Sequence, residues 1–326
     1  MKKLLTIATL ALVMCLGLAA CGGNENNIDT NNFGITAEDV DSTINDVIDG
    51  IINDEPDVPI TSNFDTSRNI SVIAREDGSG TKSAFMEIIG LKGQADPATV
   101  IIQTGTAGVL AEVAGNPGAI AYESLGYVTN SVKMLDVNGV TASIDNIIDG
   151  SYKIARPLSI VYLEETLDNE LASAFFDFLQ SYDAFEIIME KGYVPTGFPT
   201  DGYVVNETLS GNLEISGSTS LQPLMLEFAI TFEELQPNVI IDVAGGGSGT
   251  GYNNAEVGVS HFGMISEEFN AEKAPSCVYA TVAMDGIAVI VHNSNPLDDI
   301  SLDDLQNLYN VDAGDGAFVT WADIIR

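Results

Sequence analysis

Three short stretches combine glycines with hydroxyl side chains in a way that suits the capture of an anion. They are Arg75-Glu76-Asp77-Gly78-Ser79-Gly80-Thr81, Ser216-Gly217-Ser218-Thr219-Ser220-Leu221 and Gly245-Gly246-Gly247-Ser248-Gly249-Thr250-Gly251. Glycines let backbone N–H groups approach a ligand, and Ser and Thr add hydroxyl donors. A helix that opens straight after such a turn offers a partly positive N-terminus with unsatisfied N–H groups. Three such ends aimed at one point could replace an anion's hydration shell with almost no net positive charge. Arg75 adds one full charge, and its planar guanidinium can donate two parallel bonds to a tetrahedral oxyanion. Asp77, two residues on, would share a face with Arg75 in a continuing strand and could hold its rotamer.

Other chemistries lack their parts. A phosphate-binding P-loop needs glycine directly before lysine, whereas Thr81 separates Gly80 from Lys82. No glycine triple in these turns has the dinucleotide-binding spacing. No Gly-x-Ser-x-Gly elbow sits between a strand and a helix with a histidine partner. The two histidines, His261 and His292, are isolated in sequence. Adjacent acidic pairs such as Glu267/Glu268 and Asp303/Asp304 read as solvated surface. The expectation is therefore a binding protein with no catalytic residues, no metal site and no cofactor.

The elements that would position these turns alternate along the chain. Ile70–Ala74 reads as a strand and Lys82–Ile89 as a helix. Gly118–Tyr122 and Ile154–Tyr162 read as strands, and Leu171–Lys191 as one long helix with Phe175, Phe178, Leu179 and Tyr182 on its buried face. Leu213–Ser216, Val239–Val243 and Ala283–Val291 read as further strands. Pro223 suits the first turn of a helix. Such alternation predicts an α/β protein with largely parallel sheets. Upstream, Thr36-Ala37-Glu38-Asp39 resembles a capping start with Val40, Ile44, Val47, Ile48 and Ile51 on one helical face, and residues 53–69 read as a linker.

The N-terminus indicates where the protein works. Lys2 and Lys3 precede an apolar run from Leu4 to Leu18, followed by Leu18-Ala19-Ala20-Cys21. The run is shorter than the roughly 20 residues needed to span a bilayer. It has the pattern of an export signal, and the cysteine after small residues resembles the bacterial lipoprotein signal. Residues 1–20 are then a signal peptide, Cys21 a lipidated anchor, and residues 21–35 a flexible tether beginning Gly22-Gly23-Asn24-Glu25-Asn26-Asn27. Without residues 1–20, ten basic residues face 47 acidic ones, a net charge of −37. Such a surface repels nucleic acid. Cys277 would be the one thiol left besides the anchor, which excludes an internal disulfide or a cysteine-based metal site. About 300 residues are enough for two lobes with separate cores.

Several longer motifs together resemble one family. They are Ile-Ser-Gly-Ser-Thr-Ser-Leu-Gln-Pro-Leu (215–224), the glycine-rich 245–251, Ala-Met-Asp-Gly-Ile-Ala-Val-Ile-Val (283–291), Arg-Glu-Asp-Gly-Ser-Gly-Thr (75–81) and Gly118 to Tyr127. Arg156-Pro157-Leu158 and Lys191-Gly192-Tyr193-Val194-Pro195 complete the set. The chain resembles the phosphate-binding proteins of Pst-type ABC importers. That resemblance implies a two-lobed periplasmic-binding-protein-like fold (type II), with a sheet flanked by helices in each lobe and the ligand in the cleft. One lobe would span 36–152 and 286–326, the other 153–285, and crossing strands near 154–162 and 283–291 would join them.

In the family the Gly-Ser-Thr-Ser segment comes first, whereas here residues 69–200 resemble the family's second half and residues 211–326 its first. The resemblance thus implies a circular permutation, with a fragment of a tandem protein as the alternative. It also puts Arg75, Ser79, Gly80, Thr81, Ser220, the Leu221 amide and Ser248 on the oxyanion, with Ser218 and Thr219 shaping the same turn. His261 stands where the family usually has an aspartate that accepts a proton from hydrogen phosphate, which leaves preference for phosphate over sulfate open. The implied function is extracytoplasmic capture of inorganic phosphate for an ABC transporter permease, on a membrane-held protein. A phosphate-sensing lipoprotein and, with less support, a phosphate-ester hydrolase are the alternatives.

Overall fold

A computed structural model of the protein describes residues 64–325. The signal, Cys21, the tether and the proposed amphipathic helix at 40–51 lie outside the described residues. Among the described residues no helix is long and apolar enough to cross a membrane.

The first strand, β1 (Ser71–Arg75), is followed by α1 (Gly80–Ile88), β2 (Ile101–Gln103), α2 (Gly105–Gly115), β3 (Ala119–Ser124) and β4 (Lys133–Val137). A short helix α3 (Ile144–Ile148) leads to β5 (Ala155–Leu163). Then come α4 (Glu170–Leu179), α5 (Tyr182–Glu190) and the short β6 (Val194–Pro195). The second glycine turn lies between β7 (Gly211–Gly217) and α6 (Gln222–Leu235), the third between β8 (Val239–Gly245) and α7 (Ser248–Glu256). β9 (Phe262–Ile265), the long β10 (Cys277–Val291), β11 (Asp299–Ile300) and α8 (Leu302–Tyr309) complete the order.

The helix expected over 171–191 is two helices. Ser181 ends the first and caps the second: its hydroxyl donates to the Phe178 carbonyl at 2.7 Å and accepts from the Ala184 amide at 3.4 Å. A hydroxyl that satisfies both exposed ends makes a break cheap. Tyr182, expected on the buried face, starts the new helix with its side chain exposed.

Strand order is β2-β1-β3-β10-β5-β9-β7-β8. Pairing is parallel within β2-β1-β3 and within β9-β7-β8. The sheet is nevertheless mixed, because β10 runs antiparallel to β3, β4, β5 and β6. From Cys277 to Gly286 it pairs with β5, and from Ile287 to Val291 with β3. One strand thus serves both lobes, with Asp285 and Gly286 at the crossing opposite Arg156 and Ala155.

The buried core divides at that crossing. One cluster runs from Val72 to Ile154 and resumes at Ile287, ending at Ile324. A second lies between Leu158 and Ala283, and a smaller cluster in the same lobe holds Val161, Tyr252 and Ile265. In the first, Phe85 of α1 stacks on Tyr122 of β3 with ring centroids 4.0 Å apart, and Tyr309 of α8 meets Phe85 edge-on at 5.1 Å. Such pairs contribute about 0.5–1.5 kcal/mol each beyond area burial. They also hold the end of β1: the Tyr309 hydroxyl donates to the Ile73 carbonyl at 2.9 Å, and the Tyr122 hydroxyl accepts from the Arg75 amide. Arg75 therefore leaves the sheet from a rigid base.

Candidate anion site between the lobes

All three glycine turns meet at the C-terminal ends of their strands, the usual place for a ligand in an open α/β sheet. The Gly249 amide donates to the Gly78 carbonyl at 3.0 Å, and the Gly247 amide to the Gly217 carbonyl at 2.9 Å. Gly247 has φ +84°, and a Cβ there would lie 3.0 Å from the Gly78 carbonyl oxygen, so glycine is required on both counts. Thr81 and Ser220 hydroxyls lie 2.8 Å apart across the lobes. Ser79 caps α1 by accepting from the Lys82 amide, which leaves the first amides of that helix without an intrahelical acceptor.

A side chain at Gly80 would run into the Ser248 hydroxyl and come within 2.7 Å of that of Ser266. Gly80 begins α1, a position alanine accepts within its own lobe. Gly80→Ala is expected to weaken ligand binding at least tenfold while shifting the unfolding temperature of ligand-free protein by no more than 2 °C. Isothermal calorimetry alongside thermal denaturation checks this; unchanged affinity would show that the lobes need not approach so closely.

Arg75 is almost wholly buried, and every N–H of its guanidinium has a partner. Glu76 takes the Nε and Nη2 edge as a fork, both at 3.0 Å. Nη2 also donates to Thr219 Oγ1 at 2.8 Å, and Nη1 to Thr106 Oγ1 at 3.2 Å with Glu123 Oε2 at 3.5 Å. Burial depresses the Arg75 pKa, but the Glu76 hydrogen bonds and the charges of Glu123 and Glu76 outweigh it and raise the net value. Burial likewise pushes Glu76 up, and the Arg75 fork with the Gly105 amide brings it below the ordinary carboxylate range.

Thr106 and Glu123 escaped the sequence reading. Thr106 sits in Thr104-Gly105-Thr106, a fourth strand-to-helix turn between β2 and α2 that could have signalled it, whereas Glu123 lies within β3 and carries no such signature. Thr106 is a hub: its hydroxyl lies within 3.4 Å of Thr219 Oγ1 and Ser220 Oγ, and it donates to Glu123 Oε1 at 3.2 Å. Ser266, just past β9, is the other addition; its amide donates to Ser248 Oγ at 3.0 Å.

Arg75, Ser79, Gly80, Thr81, Ser218, Thr219, Ser220 and Ser248 come together here. Ser218 caps its own turn, its Oγ accepting from the Ser220 and Leu221 amides at 3.2 Å each, so the Leu221 N–H already has a partner. Asp77 does not hold Arg75: its side chain is 97% exposed and pairs with Lys82 at 2.7 Å. The chain turns into the Gly78 loop after Arg75, so the strand alternation that would have put both on one face does not continue; Glu76 takes the role instead. Lys82 is fully engaged by Asp77 and Asp96. Glu267, read as solvated surface, is buried and paired with Lys273.

His261 lies elsewhere. Its Nδ1 accepts from the Glu214 amide at 3.0 Å and its amide donates to the Glu214 carbonyl at 2.8 Å, so it flanks the middle of β7. Gly217, where β7 meets the site, is three residues further on, roughly 10 Å along a strand. His261→Ala is accordingly expected to leave both affinity and the phosphate-to-sulfate preference within twofold of the parent protein, as competition binding would show.

Comparison with known proteins converges on one group. The sequence model of the PBP superfamily domain matches residues 13–183 and 205–320. The phosphate-binding protein PstS 2 of Streptococcus pneumoniae serotype 4 is 36% identical over 262 residues, covering 78% of this chain and 87% of that protein. Bacillus subtilis phosphate-binding protein PstS is 38% identical over 106 residues, 32% of this chain and 35% of that protein. A crystal structure of a phosphate-binding protein of a phosphate ABC transporter from Streptococcus pneumoniae TIGR4 superposes with a TM-score of 0.62. It is 36% identical and covers 79% of this chain and 100% of that one.

Proposed function

We propose, from the premise that this chain belongs to the Pst-type phosphate-binding proteins of the PBP superfamily, that its cleft captures inorganic phosphate and hands it to an ABC importer. The observation that carries the reading is Arg75: a buried guanidinium at the meeting of the lobes, ringed by Thr81, Thr106, Thr219, Ser220 and the starts of four helices. These groups supply a tetrahedral oxyanion with one charge, several hydroxyls and fixed dipoles. On this reading the protein binds and releases its ligand without chemistry, as the relatives' names as phosphate-binding proteins support. Opening and closing would use β5 and β10, where the two cores part. Cys21 would hold the mature protein on the outer face of the membrane through a lipid.

The chain order fits a circular permutation. Residues 66–69 and 320–322 lie side by side: the Trp321 amide donates to the Arg68 carbonyl, the Ala322 amide to that of Thr66, and Asn69 bridges Thr320. A short link between these stretches would restore the family's usual order.

Calorimetric titration of the chain from residue 22 onward with phosphate, sulfate and other oxyanions tests the function. Micromolar or tighter phosphate binding, about −8 kcal/mol or better, is expected. Absence of phosphate binding, or stronger binding of sulfate, overturns the reading.

A further inference from the structure

Glu123 is a carboxylate buried in the site with no solvent exposure. Its Oε1 accepts from the Thr106 hydroxyl at 3.2 Å and the Ser124 amide at 2.9 Å, and its Oε2 lies 3.5 Å from Arg75 Nη1. Glu76 has already matched the Arg75 charge through a two-point fork. One cation therefore faces two carboxylates, Glu76 on its Nε/Nη2 edge and Glu123 beside Nη1. We propose that Glu123 takes up a proton when phosphate binds, so that capture of the anion is coupled to protonation of this buried acid. The inference rests on the phosphate reading above and adds a regulatory property to the same site.

The hydroxyl chemistry supports it. Thr106 has a single proton, and while Glu123 is ionised that proton points inward to Oε1. Thr106 then offers only lone pairs, and it already accepts from Arg75 Nη1. When Glu123 is protonated its own O–H donates to Thr106, and the Thr106 proton is released toward the Thr219 and Ser220 side. One added proton thus leaves Arg75 Nη1 facing only the neutral carbonyl oxygen Oε2, a weaker competitor, and creates a donor for the anion. It also cancels a negative charge in a low-dielectric pocket, where like charges repel most strongly.

The surroundings single out Glu123 as the group that takes the proton. From β1 and the residue after it come Arg75 and Glu76, and from α2 Thr106. Arg156 of β5 also acts on Glu123, but its own partner is Asp285 of β10. Tyr122 and Tyr127, the neighbouring phenols, are raised and already protonated. Glu76 sits below the ordinary range on the Arg75 fork. Burial pushes the Glu123 carboxyl up against the lowering pull of Arg75, the Ser124 amide, Arg156 and Thr106, and burial prevails.

The sign follows from linkage. If the bound form holds a proton that the free form has lost, affinity falls as pH rises, by up to tenfold per unit. The fall begins at the free-site value of Glu123, which is above the usual glutamate range, and ends at its still higher value with phosphate bound. Phosphate's own ionisation is removed by comparing the full-length mature protein with its Glu123→Gln variant. The ratio of phosphate dissociation constants, parent over variant, is expected to climb at least tenfold between pH 5.5 and pH 9. Glu123→Met, an apolar side chain of similar volume, makes the same comparison should the glutamine variant not fold. A ratio flat to within twofold overturns the inference while leaving the phosphate reading intact. Failure of parent and variant alike to bind phosphate at any pH overturns that reading instead.

Discussion

Arg75→Ala is expected to weaken phosphate binding by at least ~10²-fold, the largest effect of any single change in the site. Removing one member of a buried, hydrogen-bonded charge cluster costs about 2–5 kcal/mol, part of it from the partners left behind. Here those partners are Glu76 and Glu123, two carboxylates that would face the incoming anion without their cation. Helix N-termini and hydroxyls remain, so some affinity should persist. Arg75→Lys keeps the charge but cannot hold the Glu76 fork and reach Thr219 and Thr106 at once, so an intermediate loss of roughly tenfold is expected. Calorimetry on both variants, with circular dichroism to verify folding, measures this. Equal affinities for parent and alanine variant would place the ligand somewhere other than between the lobes.

Asp285→Ala carries the second large effect, and it acts on stability. Arg156 and Asp285 face each other on β5 and β10 where the lobes part, each about 1% exposed, with Arg156 Nη2 3.0 Å from Asp285 Oδ2. Arg156 Nη1 also donates to the Ser266 carbonyl at 3.2 Å, tying the crossing strands to the residue beside Ser248. A guanidinium stripped of its partner inside a protein costs about 3–5 kcal/mol. In a chain of this size that corresponds to a fall of roughly 10 °C in unfolding temperature. Replacing both residues, as Arg156→Met with Asp285→Leu, should recover most of the loss, since no unpaired charge remains. Scanning calorimetry on the single and double variants separates the cases, and a double variant no better than the single would assign the loss to packing.

What the sequence determined on its own is local. A strand, a glycine turn with hydroxyls and a helix lie within about a dozen consecutive residues, and backbone geometry allows few alternatives, so the three turns and Arg75 were legible without a structure. Strand and helix alternation was legible for the same reason, down to Pro223 in the first turn of α6.

What tertiary structure decided is register and direction. The exposed Asp77, the Glu76 fork and the placement of His261 midway along β7 depend on where a strand stops and which residue lies opposite, and one step of register changes a side chain's surroundings entirely. The antiparallel β10, serving both cores, is likewise a matter of pairing between distant segments. Thr106 and Glu123 join the site only because β1, α2 and β3 bring them under Arg75, and Thr219 meets Arg75 across 144 residues of chain. No local rule encodes such contacts; they arise when two cores form and their sheet ends face one another. The glycine turns therefore marked a candidate anion site, and the packing around them chose the cation's partners and the buried acid beneath it.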